Sequence, residues 1–220
     1  MTPPAPSRPA AGRPPATSAA EILAAARELI EEHGWQSLTI RTLAARLNVG
    51  ASTIYHHVRD REDLLVQLLN AQAATVAHES VPTDPRSRII AGATAMHAAL
   101  VAAPWAADVL VADDLVGEAS LWMVEAIVGG AMDYGKSVEQ SVDLYRSLWY
   151  YTAGEILVRA RAAEADESGA RASYRDRVFH GLDRAALPHL ATIADEWPAI
   201  TRRDTYAAGL GAFVDGLLRA

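Results

Sequence analysis

The stretch Leu38-Thr39-Ile40-Arg41-Thr42-Leu43-Ala44-Ala45-Arg46-Leu47-Asn48-Val49-Gly50-Ala51-Ser52-Thr53-Ile54-Tyr55-His56-His57-Val58-Arg59-Asp60-Arg61-Glu62-Asp63-Leu64 decides the fold. Thr39 offers a side-chain oxygen to the orphan N–H groups of a helix beginning at Ile40, and Leu38 with Leu43 has the spacing of a hydrophobic staple. Asn48-Val49-Gly50 stops that helix near Leu47, after barely two turns. Ala51 then opens a second short helix in which Ala51, Ile54, Tyr55 and Val58 recur at helical spacing, predicting an inward face. Asp60, with Asp63 three residues on, caps a longer helix carrying the apolar stripe Leu64, Leu65, Leu68, Leu69 and Val76.

Two short helices about a tight turn can set the second into a major groove about 12 Å wide while the first crosses the backbone. The second helix turns Ser52, Thr53, His56 and His57 outward, polar groups able to meet base edges or phosphates, with no acid among them. Arg41 can offer a bidentate fork to a guanine or a phosphate, Arg61 a phosphate clamp, and Thr39 its cap hydroxyl at a helix N-terminus. The adjacent His56 and His57 point to different helix faces, so a metal pair is not expected.

Outward from this core, Ser18-Ala19-Ala20-Glu21 has capping-box spacing and opens a helix with Ile22, Ala26, Leu29 and Ile30 on its core face, which Gly34 ends in a left-handed conformation. Residues 1–17 are rich in Pro, Ala and Ser and read as a disordered tail; an arm placing Arg8 and Arg13 in a minor groove is the alternative. Beyond Pro82 and Pro85 helices are predicted at 86–102, 104–112, 116–134, 137–163, 173–187 and 203–219, with no strand-like alternation. The fold class is therefore all-α: a tail at 1–17, an N-terminal three-helix helix-turn-helix domain at 18–64, and a helical ligand-binding and dimerisation bundle at 65–220.

The charge distribution agrees. The chain carries 20 Lys and Arg against 27 Asp and Glu, net −7. Residues 1–64 hold seven Arg and seven acids, so they are neutral, and the remainder carries 13 − 20 = −7. One end is fit to approach a polyanion and the other to stay in solvent. Cysteine is absent, which excludes thiolate metal sites, disulfides and cysteine nucleophiles. No apolar run reaches the roughly 18 residues of a membrane span, and a soluble, cytoplasmic chain without a membrane partner is expected.

The quoted motif resembles the N-terminal domain of TetR-family transcriptional regulators. The resemblance rests on the helix-2 Thr, the Val after the turn, the Thr-aliphatic-Tyr triplet, the His-Val pair and the charged opening of the following helix. It departs at Gly50, where a polar residue is usual, and at Ser52, where Gly or Pro is common. It implies that Thr39, Arg41, Thr53, Tyr55, His57 and Arg61 meet DNA or orient the groups that do. More faintly, Ser137 to Leu157 and Gly209 to Leu218 resemble the paired interface helices of the tetracycline-repressor branch, which implies a homodimer. One short recognition helix reads few bases, so two copies about one helical turn apart (roughly 34 Å) on a palindromic operator serve the same need.

A small-molecule effector is the further partner implied. Its candidate contacts are Met96, His97, Trp105, Trp122, Met123, Trp149, Tyr150 and Glu155, in a region rich in aromatic and sulfur side chains that could equally be plain core. In tetracycline repressors a His of helix 6 holds the magnesium chelate; alignment puts Leu110 there, and Ala or Val near Val76 and Ala77 in place of a second His, so tetracycline fits poorly. No cofactor and no metal are expected. The function implied is a ligand-released repressor, with an activator of the same fold or a ligand-independent DNA-binding protein as alternatives. Against an enzyme stands the lack of a nucleophile elbow, a phosphate loop or a paired-His motif.

Overall fold

The computed structural model describes residues 17–77, 81–113, 115–167 and 174–219; the expected tail, with Arg8 and Arg13, lies outside them but for Thr17, as does His78. Every regular element among the described residues is helical. Contacts divide the chain into two compact units, up to Leu68 and from Leu69 onward.

In the first unit, α1 (Ala19–His33) starts on a reciprocal capping box between Ser18 and Glu21 and buries Ile22, Ala25, Ala26, Leu29 and Ile30. Gly34 ends it with φ 77°, ψ 154°, a positive φ as expected but extended in ψ rather than left-handed helical. A 3₁₀ turn at Trp35–Ser37 leads to α2 (Ile40–Arg46), where Thr39 and Thr42 cap each other and the staple residues Leu38 and Leu43 are fully buried. The left-handed residue at the break is Asn48, φ 53°, whose short polar side chain tolerates αL. After it comes α3 (Ala51–Tyr55), with Gly50 as N-cap.

The inward face predicted for α3 needs correction. Ile54 and Val58 are buried, but Ala51 is exposed and Tyr55 is 56 % exposed. The helix has only five residues, so two apolar anchors suffice to seat it, and the i+4 position is left over the edge. Next, α4 (Arg61–Ala73) begins on Asp60, whose Oδ1 accepts from the Asp63 N–H at 2.8 Å, while Asp63 Oδ2 accepts from the Arg59 N–H at 2.8 Å. Leu64, Leu65, Leu68 and Leu69 form the buried stripe, each worth about 1.5–3 kcal/mol of apolar transfer. Val76 lies past the helix end and is half-buried.

The second unit comprises α5 (Pro85–Val101), α6 (Pro104–Ala112), a 3₁₀ turn at Glu118–Ser120, α7 (Leu121–Asp133), α8 (Val138–Glu167), α9 (Tyr174–His180), α10 (Pro188–Ile193), α11 (Trp197–Ile200) and α12 (Tyr206–Arg219). Three bounds depart from the expected ones. The helix predicted at 116–134 starts only after the 3₁₀ turn. The one predicted at 137–163 continues to Glu167, and the one predicted at 173–187 stops at His180, with turns up to the helix that Pro188 opens. Ser137 and Gln140 cap α8 reciprocally.

The helices α5 and α7 pack most closely, and glycines make this possible: a Cβ on Gly92 would sit 2.8 Å from the Met123 carbonyl, and one on Gly130 2.9 Å from that of Pro85. Arg88 pairs with Asp133 across the same contact, and Arg86 with Asp215 ties α5 to α12. At Pro104 the chain turns by 105° from α5 into α6. No single helix among the described residues is long and apolar enough to cross a membrane.

Candidate functional site

In the first unit, the caps and the two buried anchors fix the backbone of α2 and α3, and what remains outside is polar. Thr39, Arg41, Ser52, Tyr55 and His56 are exposed; Thr53 and His57 are half-buried. The Thr39 hydroxyl accepts from the Thr42 N–H at 3.0 Å and also meets the Thr42 hydroxyl at 3.1 Å, so it is held at the N-terminus of α2. The His57 carbonyl accepts from Gln67 Nε2 at 3.1 Å, which fixes the exit from α3 against α4.

Arg61 stands apart from the other expected contacts. It is half-buried, its Nε donates to the Leu38 carbonyl at 2.8 Å, its guanidinium donates to the Trp35 carbonyl at 3.1 Å, and it lies over the Trp35 ring at 5.2 Å. Two donors of this fork hold the chain that enters α2, a use only tertiary structure could reveal. Arg46 likewise pairs with Glu28 and Glu32 and so turns those two acids into a tie between α1 and α2.

In the second unit a cavity of about 320 Å³ lies among α5, α6, α7, α8, the end of α4 and the segment around Val116. This is at the lower end of the range for sites of drug-sized ligands. Of the expected contacts it brings together Met96, Met123 and Trp149. Trp105, Trp122, Tyr150, His97 and Glu155 do not line it: Trp122 borders a shallow groove on α7, and Tyr150 is exposed beside Arg146.

Gln72, Ser120 and Tyr145 are the polar groups of the wall that the sequence reading missed. The signals were a glutamine inside the apolar end of α4 and a tyrosine four residues before Trp149. Leu110, aligned with a chelate-binding His, is also in the wall. Asn70 Oδ1 accepts from the Ala119 N–H at 2.9 Å and holds the segment that closes one side.

His97 and Glu155 belong instead to a polar cluster that joins α5, α8 and α12. His97 Nε2 meets Glu155 Oε2 at 3.0 Å, Glu155 pairs with Arg159, and Arg159 reaches Asp204 at 3.4 Å. The His97 ring stacks on Tyr206 with centroids 3.6 Å apart. The Tyr206 hydroxyl donates to the Ala93 carbonyl at 3.3 Å, so its single proton is used and the Thr152 hydroxyl, at 2.8 Å, donates to it. Burial pushes the Tyr206 phenol up to about 12. These groups are satisfied by one another. No group of three His, Asp or Glu among the described residues could hold a metal ion.

Comparison with known proteins places this geometry. Residues 22–68 match the family described as "Bacterial regulatory proteins, tetR family". The chain is 28 % identical over 201 residues to the class A tetracycline repressor of transposon 1721 from Escherichia coli, covering 90 % of this chain and 89 % of that protein. A possible TetR family transcriptional regulator from Streptomyces coelicolor A3(2) superposes with a TM-score of 0.67 at 25 % identity, over 90 % of this chain and 97 % of the other. The fold is also that of ActR from Streptomyces coelicolor in complex with (S)-DNPA, with a TM-score of 0.70 at 20 % identity over 93 % and 98 % of the two chains. The capped α2, the short α3 behind it, the family match across both and the likeness along the helical second unit lead to one conclusion: residues 22–68 are a DNA-binding domain of the tetR family, and along 90 % of its length the chain is similar to TetR-family transcriptional regulators.

Proposed function

We propose that this regulator is a repressor that grips a palindromic operator as a homodimer and releases it when a small molecule fills the cavity of the second unit. The observation that carries the reading is the exposed rim of Thr39, Arg41, Ser52, Tyr55 and His56 on two short helices whose other faces are buried. Arg41 and the α3 side chains meet base edges and phosphates, and Thr39 offers its hydroxyl at a helix N-terminus, with Thr53 and His57 at the border of the contact. Arg61 acts from behind by holding the entry to α2.

Support for the homodimer comes from α8 and α12. Along α8, Val138, Val142, Arg146, Tyr150, Gly154 and Val158 follow every fourth residue and are all exposed, Val158 by 72 %. On α12, Ala208, Ala212 and Gly216 form an exposed small-residue row beside Phe213. Such faces bury well against a copy of themselves about a two-fold axis. The cavity supports the effector: its walls come from α4, which carries the break between the two units, and from α8, so occupancy can bias both.

A footprint on the chain's own promoter is expected to protect one short palindrome. Arg41→Ala and Tyr55→Ala should each weaken operator binding about a hundredfold, since the dimer makes each contact twice at about 1.4 kcal/mol apiece. Unchanged affinity in both variants would refute the assigned rim.

A further inference from the structure

We propose, resting on the effector reading above, that the cavity takes an uncharged, compact and mainly apolar ligand that accepts a hydrogen bond from Tyr145 and donates one to Gln72, and that it discriminates against ions and metal chelates. The described lining holds no charged side chain and no imidazole; Leu110, Val124, Met96, Met123 and Trp149 set its character. Thioethers and an indole adapt to an aromatic or alicyclic body. An ionised carboxylate or ammonium brought into such a space would lose its hydration with no opposite charge to replace it.

The polar groups define the hydrogen bonds. Gln72 is only 5 % exposed, and its Nε2 donates to the Ala99 carbonyl at 3.0 Å. A backbone carbonyl only accepts, so this bond fixes which end of the carboxamide is nitrogen, and Oε1 is left as an acceptor without a donor among the described residues. The Ser120 hydroxyl proton is committed, donated to the Gly117 carbonyl at 2.7 Å. The Tyr145 hydroxyl has no hydrogen-bond partner among the described residues, and burial pushes its ionisation up, so it stays an O–H donor at neutral pH. The Tyr145 hydroxyl as donor and the Gln72 carboxamide oxygen as acceptor, in an otherwise mainly apolar wall that also holds the Trp149 indole, suit a ligand with a carbonyl or ether oxygen and an N–H or O–H.

Isothermal titration of the full chain with 1-naphthamide, 1-naphthoate, 1-naphthylmethylammonium and naphthalene tests this. The amide should bind at least tenfold more tightly than either ion. Tyr145→Phe and Gln72→Leu should each weaken the amide about tenfold while leaving naphthalene unchanged, and unchanged melting of the free variants would show that they fold. Equal or tighter binding of either ion, no binding of any of the four, or magnesium-dependent tetracycline binding tighter than that of the amide would overturn the proposal. Operator binding followed by anisotropy in the same samples separates the two readings. Amide binding with these preferences but no loss of operator affinity would uphold the cavity chemistry and refute release; release by a charged ligand would do the reverse.

Discussion

The unit up to Leu68 carries its candidate functional groups on the outside, and the unit from Leu69 carries its own within. In the first, short helices are over-determined by capping at Ser18, Thr39 and Asp60, by the Leu38–Leu43 staple and by the Arg61 fork, which leaves a polar rim with little freedom. In the second, long helices are held by glycine notches and a polar cluster around Tyr206, and the chemistry is a concave wall. A polyanion calls for a rigid exposed edge, whereas a small molecule must be surrounded; on the proposed reading the two units meet these needs by opposite uses of burial.

This contrast can be broken or sharpened by experiment. The largest effect is expected at Gly92→Val, where the first added carbon would already lie 2.8 Å from the Met123 carbonyl. The second unit should lose about 3 kcal/mol from overpacking, read by calorimetry, with operator contacts of the isolated rim unaffected in kind. Arg61→Ala comes next: it removes the bond to the Leu38 carbonyl and leaves the Trp35 carbonyl with the Leu38 N–H alone, and should lower the stability of the first unit by about 2 kcal/mol. A phosphate clamp would instead lose operator affinity with melting unchanged, so one variant decides between the two roles.

Tyr206→Phe should cost about 1 kcal/mol in the second unit by removing the bonds to Ala93 and Thr152. Because the folded phenol is raised to about 12, from about 10 when unfolded, its stabilising contribution is complete below pH 10 and fades as pH climbs toward 12. Alkaline unfolding should therefore be less steep in the variant. The smallest effect is at Asp63, where the Arg59 backbone bond, outweighing burial, holds the carboxyl below its ordinary value. Its contribution is present above about pH 4 and is lost as pH falls through the lowered folded value, so Asp63→Asn should flatten the acid limb of a stability profile slightly.

What could be read in the sequence follows the same division. The caps, the break at Asn48 to Gly50 and the staple are local, and local spacing discloses them; Tyr55 was misassigned because periodicity alone does not say how much of a five-residue helix must be buried. The cavity is assembled from five helices and a turn, so Met96, Met123 and Trp149 were found by residue type, whereas Gln72 and Tyr145 gain their meaning only from what lies across from them. For His97 and Glu155 the sequence announced polarity inside an apolar region but could not say that the two satisfy each other. Arg61 shows the limit from the other side: the motif marks a cation there, but only the tertiary structure shows that two of its donors meet the Leu38 and Trp35 carbonyls.

Sedimentation equilibrium of the chain with a labelled duplex from its own promoter tests the central claim most directly. The exposed edge of α2 and α3, presented twice, predicts two chains per duplex, and a complex that dissociates steeply with added salt despite the net charge of −7. A single chain per duplex, or no complex at low salt, would contradict it.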